Sequence, residues 1–121
     1  MTNILKNEGF LELITVADIK IKKKLIARAN EEEIESILDC FASIEPYAYR
    51  LKKCKRKFEK FKKFFKGKAF TIKKARALFQ KNLQFVASVI AIVLSEILNK
   101  QINTVFGCED ERTNLESTSF K

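Results

Sequence analysis

Histidine is absent from this chain, and glycine (three) and proline (one) are scarce. Without histidine no side chain has an ordinary pKa suited to general base work near neutrality. Three glycines, none in a GxxxxGK[ST] or GxGxxG pattern, exclude the usual phosphate-cradling loops. The cysteines, Cys40, Cys54 and Cys108, are odd in number and widely spaced. That argues against a disulfide framework, and the close ligand pairs of a zinc site are missing, so they read as reduced structural thiols. The acids Glu31, Glu32, Glu33, Glu35 and Asp39 could suggest a metal cluster. On a helix only Glu31 with Glu35, or Glu35 with Asp39, share a face, and acids at a helix start usually serve the dipole. No enzyme, metal or cofactor is expected. The first residues, MTNILKNEGFLEL, lack a basic stretch followed by an apolar one, so no secretory signal is expected.

What the chain does hold is leucine, isoleucine, alanine, glutamate, lysine and phenylalanine, the composition of an all-helical protein of one domain. Its charge is strongly segregated. Residues 1–50 carry seven bases and nine acids, and residues 82–121 carry three bases and five acids, each a net of −2. Residues 51–81 carry fourteen bases and one acid, Glu59, so the net charge of +9 originates in the middle quarter. Such a block is an electrostatic footprint for nucleic acid, anionic lipid or an acidic protein.

Hydrophobic spacing and caps predict about four or five helices in a compact bundle. A short helix over about 9–16 is followed by one that Asp18 caps, with Ile21, Leu25 and Ala29 inward and Lys20, Lys23 and Lys24 outward. Asn30, followed by Glu31, Glu32 and Glu33, resembles a capping box, and Ile34, Ile37, Leu38, Phe41 and Ile44 continue at helical spacing. Glu45-Pro46 stops that helix. In the basic block Leu51, Cys54, Phe58, Phe61 and Phe65 form one narrow stripe, which ends at a cap on Gly67. Thr71 caps a further helix with Ile72, Ala75, Leu78 and Phe79 inward. The basic helices thus occupy 51–81. Residues 83–98, LQFVASVIAIVLSEIL, fall short of a membrane span and are interrupted by Gln84, Ser88 and Glu96. They read as a buried central helix continuing to about 106, which closes a helical domain of 1–106 before a polar, mobile tail of 107–121.

Lys52, Lys53, Lys55, Arg56, Lys57, Lys60, Lys62, Lys63, Lys66 and Lys68 surround the first basic helix on three sides, and Lys73, Lys74 and Arg76 face outward from the second. These thirteen are the candidate nucleic-acid contacts. Lysine dominates, and it is a point charge without arginine's planar fork, so the expectation is backbone binding without sequence readout. Phe58, Phe61 and Phe65 fit core spacing better than a base-stacking platform, whereas Phe64 falls off the stripe. Two other readings stand beside DNA binding. The basic Phe-rich helix with segment 83–98 could act on anionic membranes, or the basic face could serve as an assembly adaptor for an acidic protein or a second copy.

Three stretches carry a family resemblance: KKKLIARANEEEIESILDC, then LKKCKRKFEKFKKFFKGKAFTIKKARALFQK, then FVASVIAIVLSEIL. From about residue 19 to 98 the chain resembles the small basic proteins of Polinton (Maverick) elements and adintovirus-like viruses. Lys55, Arg56 and Lys57 match that family's KRK-type cluster, and Lys73, Lys74 and Arg76 its second basic helix. Asn82, Leu83, Gln84 and Phe85 stand where members often carry Gly-Gly-Phe, and phenylalanine replaces the usual leucine of the basic helix. The resemblance implies a virus-like particle component in the virion or host nucleus, comparable to adenovirus basic core or minor proteins. Such proteins are thought either to compact DNA or to act on membranes.

Overall fold

The computed structural model describes residues 2–100, and within them the chain is all-α. Seven α-helices are present: α1 (Thr2–Lys6), α2 (Glu8–Val16), α3 (Ile19–Arg28), α4 (Glu31–Ser43), α5 (Lys55–Lys66), α6 (Ile72–Lys81) and α7 (Leu83–Ile97). A 3-10 segment, Glu45–Cys54, joins α4 to α5. The count exceeds the expected four or five, and α1 is a short helix not anticipated before residue 9.

Local start signals act as their chemistry dictates. Asp18 accepts from the Ile21 backbone N–H at 2.9 Å and starts α3. Asn30 accepts from Glu33 N at 2.7 Å while Glu33 accepts from Asn30 N at 2.9 Å, a complete capping box on α4. Thr71 accepts from Lys74 N at 3.1 Å to start α6. Gly67 ends α5, but with φ −70° and ψ 149°, an extended conformation open to any residue, not the left-handed cap expected of glycine.

Three boundaries and faces differ from expectation. The first basic helix starts at Lys55, not at 51, because Lys52 adopts φ 49° and ψ −110° and breaks the chain direction between the 3-10 segment and α5. Leu51 and Cys54 are still buried, but from the turn that precedes the helix. Helix α3 keeps Leu25 and Ala29 against the core as expected, but Ile21 is 47 % exposed, while Ile26 and the stem of Lys22 are buried. The Lys22 ammonium donates to Gln84 Oε1 at 2.8 Å, which ties this face to α7. Helix α7 stops at Ile97 instead of continuing to 106. There Asn99 turns into left-handed backbone with φ 55°, and Lys100 N donates to Leu94 O at 3.1 Å. Residues 101–106 of the expected helix, and the expected tail 107–121, lie outside the described residues.

Helix α7 is the centre of the fold. Leu83 and every residue from Phe85 to Leu94 are buried, as suits a helix apolar on all sides. It packs against α2, α3, α4, α6 and the 3-10 segment, while α1 lies on α4. One phenylalanine from each of α4, α5, α6 and α7 meets at a common point. Phe41 stacks on Phe61 at 5.3 Å and on Phe79 at 5.7 Å, and Phe61 meets Phe85 edge-on at 4.9 Å. Phe61, Phe79 and Phe85 are fully buried. At roughly 25 cal/mol per Å² of buried apolar area, these rings help hold the two basic helices on the core. Ion pairs fasten the rim: Arg50 to Glu96 at 2.9 Å, and Lys100 to Glu8 and to Glu12.

Candidate nucleic-acid interface

The core spacing of α5 and α6 decides which cations reach solvent. On α5, Phe58 and Phe61 turn inward, so Lys55, Arg56, Lys60, Lys63 and Lys66 turn outward and are exposed. On α6, Ala75, Leu78 and Phe79 turn inward, leaving Lys73 and Lys74 exposed. Lys52 and Lys53 project from the 3-10 segment and Lys68 from the connection between α5 and α6, all exposed. Ten of the thirteen expected contacts therefore lie at the surface.

The other three have structural work, and each corrects the expectation. Lys57 is buried, 5 % exposed, with its ammonium 5.4 Å from the centre of the Phe85 ring. The buried stripe of α5 is broader than the five expected residues and takes in the position beside Phe58. Lys62 is partly covered and bridges Glu45 at 3.0 Å and Glu59 at 3.6 Å, with its ammonium 5.3 Å from the Phe58 ring centre. The hydrogen bond it donates to Glu45 holds its pKa above the ordinary lysine value. Arg76 reaches across to the end of α3 and donates to three carbonyls: Ala29 O at 2.6 Å, Ile26 O at 2.8 Å and Ala27 O at 3.3 Å. It caps the C-terminus of α3, where Ile26 O also accepts from Ala29 N at 3.3 Å.

Lys55, Arg56, Lys63, Lys66, Lys68, Lys73 and Lys74 make no ion pair among the described residues. Several also stand at the wrong end of a helix. The first turns of α5 and α6 contain no acid, and α5 has no side-chain cap. Lys55 and Arg56, and likewise Lys73 and Lys74, face the positive pole of their own helix dipole. The usual preference of about 0.3–1 kcal/mol per charge runs against them. A bound anion reverses the sign of that interaction, because backbone N–H groups and side-chain cations then face the same negative group.

Helix α3 adds cations that were not counted among the contacts. Lys20, Lys23, Lys24 and Arg28 are exposed on a helix that packs against α6. The four-residue spacing of Lys20, Lys24 and Arg28 was the available signal, masked by the acids that make residues 1–50 net negative. Among the aromatic residues Phe58, Phe61 and Phe79 belong to the core, whereas Phe64, Phe65 and Phe70 are partly exposed and touch one another at 5.8–5.9 Å. No group of three or more metal-ligating side chains occurs among the described residues. No family model, curated protein or solved structure matches the chain.

Proposed function

We propose that the chain binds nucleic acid through its phosphate backbone without reading sequence, as a packaging or condensing protein of a virus-like element. The observation that carries this reading is that Lys55, Arg56, Lys63, Lys66, Lys68, Lys73 and Lys74, on α5, α6 and their connection, make no ion pair among the described residues, on a chain otherwise net negative. A protein that needed these lysines for stability would pair them, as it pairs Lys62 and Lys100. Lysine point charges on rigid helices suit phosphates of any sequence, and binding releases condensed counter-ions. The virus-like setting comes from the resemblance in sequence pattern and is part of the proposal.

No single helix among the described residues is long and apolar enough to cross a membrane, although α6 and α7, bent by 103°, pass the length and composition test as a pair. Most of the apolar surface of that pair is buried against the other helices. Binding to random-sequence duplex DNA, single-stranded DNA and anionic vesicles is to be titrated at several salt concentrations. If about six phosphates are contacted, log K for duplex falls with log salt at a slope of about −5. Replacing Lys55, Lys60, Lys63, Lys66, Lys73 and Lys74 by Gln flattens the slope and weakens binding to all sequences alike. Vesicle binding with no DNA affinity near physiological salt, or DNA affinity that survives the six replacements, overturns the reading.

A further inference from the structure

An open groove of about 410 Å³ lies between α4 and α5, beside the exposed lysines. Its floor is Leu38, Phe41, Phe65 and Phe70, and its two rims differ in sign. Lys62 and Lys66 stand on the α5 side, while Asp39 and Glu45 stand on the side of α4 and its continuation. Lys62 is held by Glu45, but Lys66 and Asp39 make no ion pair among the described residues. Phe65 and Phe70 meet at 5.8 Å with an interplanar angle of 79°, so the groove has aromatic surface in two orientations.

We propose that this groove takes one unpaired nucleobase of a single-stranded nucleic acid, which rests on the nucleic-acid reading above. The opposed rims select the occupant. A nucleotide is anionic at its phosphate and, in cytosine, adenine and guanine, bears amino donors on its base edge. Phosphate placed toward Lys66 sends the base across the aromatic floor and its amino group toward the Asp39 carboxylate, an acceptor suited to such donors. An acidic peptide would meet repulsion from Asp39 and Glu45, and an acyl chain has nothing to donate to them. The volume falls within the range of small-ligand sites. Bases stacked inside a duplex cannot enter without being extruded, so the groove separates single strands from duplex while the outer lysines serve both.

The test uses the whole chain, with fluorescence anisotropy on oligo-dC, oligo-dT and a duplex of equal length near physiological salt. Thymine lacks an exocyclic amino group, so oligo-dC is expected to bind more tightly than oligo-dT. Ala42 is exposed and lines the groove, so Ala42→Leu fills the space without removing any core contact. This variant is expected to lose about tenfold on oligo-dC, the order of one stacked base, with duplex affinity unchanged. Phe70→Leu, which removes one ring of the floor, should act in the same direction, and unchanged thermal melting of both variants excludes unfolding. Undiminished oligo-dC affinity in both variants overturns the proposal and leaves the groove to an apolar protein side chain. Equal losses on oligo-dC and duplex overturn it as well. Absence of binding to all three probes instead defeats the nucleic-acid reading on which it rests.

Discussion

At the scale of single residues, Lys52 is the clearest departure from local preference. A side chain with φ 49° and ψ −110° sits in backbone territory that favours glycine, at a cost of about 1–3 kcal/mol. The turn is needed because Leu51 and Cys54 must both reach the core before α5 starts in a new direction. Replacing Lys52 with Gly relieves the strain, and the gain is partly offset by the freer unfolded chain. We expect Lys52→Gly to raise stability by about 1 kcal/mol, read as a higher urea midpoint at unchanged slope. A lower midpoint would mean that the Lys52 side chain contributes more than its backbone costs. Nothing in the sequence marks this turn. KKC reads as the start of a helix because cysteine and leucine already fit the stripe, and only the requirement to change direction excludes that.

The helices show where sequence was legible and where it was not. Asp18, Asn30 and Thr71 were readable as caps because their partners lie three residues away. On α3, Leu25 and Ala29 were read inward correctly, whereas Ile21 was misplaced and the burial of Lys22 was missed, because its partner Gln84 lies on a distant helix. The same holds for the interface. Exposed lysines were found from periodicity, whereas Lys57, Lys62 and Arg76 have partners at Phe85, Glu45 and Ile26–Ala29 that no window along the chain connects. Arg76 gives this a test. A single nitrogen, Nη1, serves all three carbonyls, so a lysine ammonium can stand in for part of that contact. Arg76→Ala should lose about 2 kcal/mol of stability, and Arg76→Lys should recover part of it in thermal or denaturant unfolding. Neither substitution should change the salt slope of DNA binding by a full phosphate. A slope shallower by about one would return Arg76 to the list of contacts.

For the whole molecule, the perturbed titrations act in one direction. Burial, and secondarily the Asp39 charge, push the Cys40 thiol well above its ordinary value. The hydrogen bond donated to Glu45 raises Lys62, and those donated to Glu8 and then Glu12 raise Lys100. In each case the folded state keeps a proton that the unfolded chain releases sooner. Stability is therefore fully present below the unfolded pKa and is lost as pH rises through the folded one. The unfolding midpoint should be independent of these groups near neutrality. It should fall first above about pH 8.5, where unfolded thiols ionise, and again above about 10.4 for the lysines. Cys40→Val should remove the first part of that decline, and a midpoint that rises between pH 9 and 11 would contradict the assignment. In the native state Cys40 and Cys54, both buried, should resist alkylation because the reagent cannot reach either sulfur.

The wrapping of α7 also bears on how the chain is made. Synthesis runs from the amino end, so α1 to α6 leave the ribosome before the helix around which most of them pack. Until residues 83–97 emerge, Ile14, Ile37, Phe61 and Phe79 have no common core to enter, and the lysines of α5 and α6 are already exposed beside them. A nascent chain of this kind depends on its charge to stay apart from its neighbours. The polybasic segment would then hold unfinished copies apart by mutual repulsion.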